Sequence, residues 1–167
     1  VKRSGAILFS IESLAGQMQL HKQIIIERNP VEVLQAFIFS KHTRQWWYGC
    51  ETYFDNANHI LSWQWRNAEG AFQYITHSSI KQYEAGLFLE LEHVWQYDFE
   101  KTEPIGPVSL LLECTPQAGQ TLLIVKHRGF KGGNLMWDEY YEAVDKGWDA
   151  VLPRLKEYLE KPPTILQ

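Results

Sequence analysis

The sequence predicts an α+β domain in which a curved antiparallel sheet wraps around a long C-terminal helix and leaves an apolar cavity between them. Two observations carry this expectation. Six segments rich in β-branched and aromatic residues follow one another between residues 51 and 128, separated only by turn-formers such as those at 55–58, 67–70 and 84–86. Connections that short favour antiparallel neighbours. Near the C-terminus, Trp148, Val151, Leu152, Leu155, Tyr158 and Leu159 recur at helical spacing, with Asp149, Arg154, Lys156, Glu157 and Glu160 on the other side. That pattern belongs to a helix with one buried face. No helical segment alternates with the strands, which disfavours a doubly wound parallel sheet.

The elements follow in order. Residues 1–20 show no sustained period and read as an N-terminal extension, the domain spans 21–161, and 162–167 form a tail, with Pro162 and Pro163 ending the helix. The first strand covers 22–28, where Ile24, Ile25 and Ile26 are flanked by charges. Asn29 can cap a helix, Pro30 suits its first position and Glu32 can complete a capping box. Val33, Leu34, Phe37 and Ile38 give that helix its apolar face to about residue 39, and a short second helix covers 41–47. The meander strands are 51–55, 60–66, 72–83, 87–97, 108–115 and 121–128. The glycine-rich stretch 129–134 reads as a connector, with a lid at the cavity mouth or packing on the sheet rim as its two readings. The terminal helix covers 137–160, with Pro153 removing one of its hydrogen bonds or kinking it.

Alternation assigns each strand a face. Leu61, Trp63 and Trp65 point inward, as do Val108, Leu110 and Leu112. In the strand 87–97 the inward row is Leu87, Leu89, Leu91, His93, Trp95 and Tyr97, because Glu90 and Glu92 on the other face want water. In the last strand Leu123, Val125 and His127 face inward and Lys126 and Arg128 face out.

Composition limits the partners. The net charge is −4 over 167 residues, with Lys and Arg scattered, so the basic footprint of a nucleic-acid binder is missing. No apolar run approaches the roughly 20 residues that span a bilayer. The stretch from Ala6 to Ile11 is short and broken at Glu12, which reads as mature chain and not as a signal peptide. Cys50 and Cys114 stand far apart without a CxxC, and read as small buried hydrophobes in a reducing, cytoplasmic setting. The six histidines are dispersed without HxH or HExxH spacing, so no metal or other cofactor is expected. Seven Trp, eight Tyr and eight Phe suit a core, a pocket or an interface alike.

Three stretches narrow the fold further: 27–33 leading to Trp46 and Trp47, His127-Arg128-Gly129-Phe130 after the last strand, and 147–160, which carries a Gly-Trp-x-x-x-Leu-x-x-Leu pattern. Together they resemble the helix-grip fold of the START/Bet v 1-like (SRPBCC) superfamily, and within it the AHSA1-like branch named for activators of the Hsp90 ATPase. The resemblance covers about residues 22–160. It implies no universal catalytic residues. The co-chaperones of that branch carry a separate N-terminal Hsp90-binding domain, for which 167 residues leave no room. In such a fold Gly147 is expected to let the helix approach the sheet closely and Trp148 to pack into the interior.

The candidate cavity wall is therefore Trp63, Trp65, Leu89, Leu91, His93, Trp95, Leu110, Leu112, Val125, His127, Trp148, Leu152 and Leu155, with Trp47, Phe130, Met136, Trp137 and Tyr141 at the mouth. His93 and His127 are the polar groups of interest, able to meet a ligand carboxylate or to act as acid or base. The bland alternative for each is a histidine bonded to backbone or water. The leading functional expectation is a carrier or sensor of a small hydrophobic molecule. A protein-interaction module, homodimeric or chaperone-related, is the second reading. An enzyme of cyclase, dehydratase or hydrolase type is the third, with no catalytic residue assigned, since no two polar groups can be placed together.

Overall fold

A computed structural model describes residues 17–162. Seven strands form one antiparallel sheet: β1 (Gln17–Ile26), β2 (Glu51–Asp55), β3 (Ile60–Arg66), β4 (Phe72–Glu84), β5 (Phe88–Asp98), β6 (Ile105–Gln117) and β7 (Gln120–Lys131). Three helices accompany them: α1 (Pro30–Ile38), α2 (Ser40–Trp46) and α3 (Leu135–Glu160). The strand order is β1-β7-β6-β5-β4-β3-β2. The meander thus runs from β2 at one edge to β7, and β1 closes the other edge beside β7. The two short helices carry the chain from β1 across to β2.

Local chemistry explains the helix starts. Asn29 accepts from the Glu32 backbone N–H at 3.0 Å, and its amide donates to the Glu32 carboxylate at 2.9 Å, satisfying a donor that the first turn leaves open. Asn134 does the same for α3, accepting from the N–H groups of Met136 and Trp137 at 2.9 and 3.3 Å. The terminal helix therefore begins at Leu135, two residues before the sequence expectation. Gly129, Phe130 and Lys131, read above as connector, belong to β7, and Phe130 is fully buried. The lid reading of this stretch gives way to a strand end and a helix cap.

At the other end, β1 begins at Gln17 and not at residue 22. Met18 pairs with Phe130 and Leu20 with His127, and Leu20 is buried. Residues 17–20 are thus part of the sheet, while the rest of the expected extension and residues 163–167 of the tail lie outside the described residues. Pro153 stands inside α3 without ending it. It is exposed, as is Asp149, whose carbonyl it leaves unbonded, so the open acceptor lies on the solvent side.

The C-terminal half of α3 is clamped on both flanks. Towards β1, Lys22 pairs with Asp145 and Asp149 at 2.5 and 2.9 Å, Lys156 donates to the Ile25 carbonyl at 2.7 Å, and Glu160 accepts from the Glu27 N–H at 2.9 Å. Towards α2, Arg154 donates to the Trp46 carbonyl at 3.1 Å and the Tyr158 hydroxyl bonds His42 Nδ1 at 2.7 Å. Beneath the last turns of α3, from Leu152 on, the space between helix and sheet is filled. Leu89, Leu91, Leu112, Val125 and Leu155 are fully buried, together with Val33, Leu34 and Phe37 of α1. No helix of the described residues is long and apolar enough to cross a membrane.

Candidate functional site

Away from α1 the space between sheet and helix is open. A cavity of about 520 Å³ lies between the strands and the part of α3 from Tyr140 to Val151. The strands supply Trp63 and Trp65 from β3, Thr76 from β4, Val94 and Gln96 from β5, Leu110 from β6 and His127 from β7. The helix supplies Tyr140, Val144, Gly147, Trp148 and Val151, at the spacing of one helical face. Trp47, just after α2, closes one end, and Tyr48, Arg66, Gln73 and Tyr74 form the rim. Tyr48 and Tyr74 are exposed, which places the mouth between the turn end of the β3–β4 hairpin and α3.

The aromatic walls are held rigidly. Trp47 stands at the centre of a tryptophan cluster, with ring centroids 4.9 Å from Trp46, 4.9 Å from Trp63, 5.3 Å from Trp65 and 6.0 Å from Trp148. Each of those four neighbours donates its indole N–H to a protein acceptor: Trp46 to the Ala36 carbonyl (2.8 Å), Trp63 to the Phe37 carbonyl (2.8 Å), Trp65 to the Trp47 carbonyl (2.9 Å) and Trp148 to His127 Nδ1 (3.1 Å). Their one polar atom is thereby satisfied within the protein, and what remains for the cavity is ring surface.

His127 follows from that last bond. An indole N–H can only donate, so Nδ1 must be the acceptor and the imidazole proton sits on Nε2. Nε2 is sealed from space and has no hydrogen-bond partner among the described residues. Burial holds the ring neutral, pushing its pKa from 6.5 down to about 3. A neutral imidazole with one nitrogen engaged and the other sealed is not the partner for a carboxylate, nor a general base at neutral pH. Arg66 at the rim is also engaged: it donates to the Gly70 carbonyl at 2.8 Å and lies over the Phe72 ring at 3.9 Å. The polar groups left in the wall are Thr76 and Gln96, joined by a 2.6 Å hydrogen bond, and the hydroxyl of Tyr140, kept protonated by burial. Cys50 and Cys114 are free and buried, their thiols pushed up to about 12; neither lines the cavity.

Gly147 has an unexpected role. A Cβ built there would meet nothing within 4 Å, so no close helix–sheet approach requires this glycine. Its backbone lines the cavity, and the missing side chain leaves that part of the wall open. Glycine inside a helix costs about 1 kcal/mol relative to alanine, and no packing demand at this position offsets that cost.

A second chamber of about 440 Å³ adjoins the first. Tyr74, Gln96, Tyr140 and Val144 line both. The outer chamber is more polar, with Asp98, Lys101, Glu103 and Glu139 around it and Met136 and Ile105 as apolar parts. Among the described residues, no three or more His, Cys, Asp or Glu side chains converge where a metal ion could be held.

Set against the sequence expectations, Trp63, Trp65, Leu110, His127, Trp148 and Trp47 line the inner chamber, and Met136 lines the outer one. Leu89, Leu91, Leu112, Val125, Leu152 and Leu155 are buried but belong to the filled end of the core. His93 and Trp95 are corrections. His93 is exposed with φ of +51°, and the β5–β6 register shifts between Leu91 and Val94. This bulge inserts one residue and reverses the alternation beyond it, so Val94 and Gln96 turn inward while Trp95 and Tyr97 turn out. Phe130 and Trp137 are buried against Tyr140, at centroid distances of 5.4 and 5.9 Å, and do not reach the chambers. Tyr141 packs on Phe130 at 5.3 Å, and the residue before it, Tyr140, takes the place in the wall. Thr76, Gln96 and Tyr140, the polar groups missed by sequence reasoning, become visible once the bulge in β5 and the exact phase of α3 are known.

The comparisons with known proteins follow the same architecture. The family described as activator of Hsp90 ATPase homolog 1-like protein matches residues 28–160. Protein MLL2253 of Mesorhizobium loti superposes with a TM-score of 0.64 at 14% identity, over 87% of this chain and 99% of its own. The Aha1 dimer of Colwellia psychrerythraea gives 0.62 at 13% identity, over 86% and 96%. A conserved protein of unknown function from Enterococcus faecalis gives 0.61 at 15% identity, over 98% and 90%. At these identities the likeness is one of fold. No curated protein matches the sequence. With 28–160 covering the two short helices, the whole meander and the terminal helix, the chain belongs to the activator of Hsp90 ATPase homolog 1-like protein family.

Proposed function

We propose that this protein binds a small hydrophobic molecule in the inner chamber, as a carrier or sensor. The observation that supports it most is Gly147: a mid-helix glycine in the cavity wall at which a Cβ would meet nothing within 4 Å, so no packing contact requires it. The cavity's volume of about 520 Å³ falls in the range typical of small-molecule sites, as does its composition of aromatic walls with a few polar groups. Indoles tied to protein acceptors supply a pre-formed surface, which lowers the ordering cost of binding. The free, buried thiols fit a cytoplasmic, reducing setting.

The test uses Nile red, a neutral dye whose fluorescence rises in apolar surroundings. The wild-type protein is expected to bind it saturably with one site. Gly147→Leu adds a side chain at the chamber wall without a steric cost at Cβ, so it should lose the dye, with its urea midpoint measured alongside to show that it is folded. Equal dye binding by both proteins would place the dye on the surface and remove the support for the cavity.

A self-association reading also has support. The Colwellia relative is a dimer, and Phe99 and Leu135 are 57% and 74% exposed here. Sedimentation velocity on the wild type and on Phe99→Ser/Leu135→Ser decides it: a dimer that the double variant dissolves supports this reading, and a monomeric wild type ends it.

A further inference from the structure

The boundary between the two chambers is built differently from either interior. Tyr140 on α3 and Gln96 on β5 line both chambers, from the helix side and the sheet side respectively. Gln96 is held at one end only, by the Thr76 hydroxyl at 2.6 Å. Whichever way the amide is turned, one polar atom is engaged and the other has no partner among the described residues. The Tyr140 ring is gripped by Phe130 and Trp137. Its hydroxyl has no hydrogen-bond partner among the described residues and, unlike His127 Nε2, is not sealed from space. A phenol hydroxyl and an amide end, both held in place by their neighbours and both without a further protein partner among the described residues, thus sit where an apolar chamber meets a polar one.

The charges around this junction disfavour an anion. The inner imidazole is uncharged, Arg66 at the rim donates to the Gly70 carbonyl and lies 3.8 Å from the Glu51 carboxylate, and the outer chamber has three carboxylates, Asp98, Glu103 and Glu139, against the single ammonium of Lys101. Building on the proposed ligand-binding function, we infer that the ligand is a molecule without an anionic group, whose apolar ring system fills the inner chamber and whose carbonyl or hydroxyl oxygen is held at the junction between Tyr140 and Gln96. These two residues then set specificity, while the tryptophan walls supply the apolar grip.

Three naphthalenes of nearly equal shape test this by quenching of tryptophan fluorescence at neutral pH: 2-acetylnaphthalene with a neutral acceptor, 2-isopropylnaphthalene with none, and 2-naphthoate with a charge. The wild type should bind the acetyl compound about fivefold or more tighter than either of the others, the size of one net hydrogen bond. Tyr140→Phe and Gln96→Leu should each weaken the acetyl compound to the level of the isopropyl compound and leave the isopropyl compound unchanged. Unchanged isopropyl binding also certifies that the variant walls are intact. Equal binding of acetyl and isopropyl compounds, or tighter binding of the naphthoate, overturns the inference while leaving the apolar cavity as a binding site. Binding of none of the three overturns both.

Discussion

His127 should make this protein acid-sensitive in a way that one substitution removes. The ring is buried, its Nδ1 accepts from Trp148 at 3.1 Å, and its pKa falls from 6.5 to about 3 on folding. A depressed folded pKa means that the unfolded chain takes up a proton that the folded one refuses. The resulting stability is fully present above about pH 6.5 and is lost as the pH falls towards 3. Between pH 7 and pH 4.5 this lowering corresponds to a loss of roughly 2–3 kcal/mol from this residue alone. His127→Asn retains an acceptor near the Nδ1 position but does not titrate. Carboxylates and surface groups contribute equally to both proteins and cancel in the difference. Urea unfolding of both proteins at the two pH values is the assay. The wild type should lose roughly 2–3 kcal/mol more than the variant, whatever their stabilities at pH 7. Equal losses would show that His127 is not held neutral in the folded protein, and would reopen a role for it as an acid, base or anion partner.

Two glycines make opposite predictions. Gly147→Ala meets open space and improves helix propensity, so the unfolding free energy should rise by about 0.5–1 kcal/mol; a fall in the urea midpoint would mean that packing does require the glycine. At Gly106, with φ of +146°, a Cβ would lie 2.6 Å from the Val94 carbonyl oxygen and 3.2 Å from Trp95. Gly106→Ala should therefore cost about 2 kcal/mol or more, measured by the same urea titration, and a neutral result would contradict the described join of β5 to β6.

Much of this arrangement was legible because it rests on local signals. The Asn29 cap, the inward rows of β3 and β7 and the apolar stripe of α3 each follow from side-chain periodicity or from one hydrogen bond within a turn. The polar part of the site was not legible, for two physical reasons. Alternation holds only while a strand is regular, and the bulge at His93 shifts the second half of β5 by one residue. No residue type announces that bulge, since histidine tolerates positive φ without demanding it. The phase of α3 must also be known to within one residue to prefer Tyr140 over Tyr141, and both are tyrosines. Leu89, Leu112 and Leu155 carry the same inward signal as Leu110, yet α1 fills the space beside them. Periodicity tells which face is buried, not whether the volume behind it is occupied. Gly147 taught a similar lesson: a glycine in a helix marks close packing or deliberate space, and only the neighbouring atoms distinguish the two.

The central claim is that the chamber between sheet and helix exists to hold a small apolar molecule. Native mass spectrometry of the protein purified gently from its own host, compared with its denatured mass, tests this most directly. The account predicts a releasable small molecule on the wild type, neutral or at least free of an acidic group, and a bare mass for Gly147→Leu expressed in the same host. A small molecule retained equally by both proteins would contradict it, because the occupant would then lie outside the space that Gly147 leaves open.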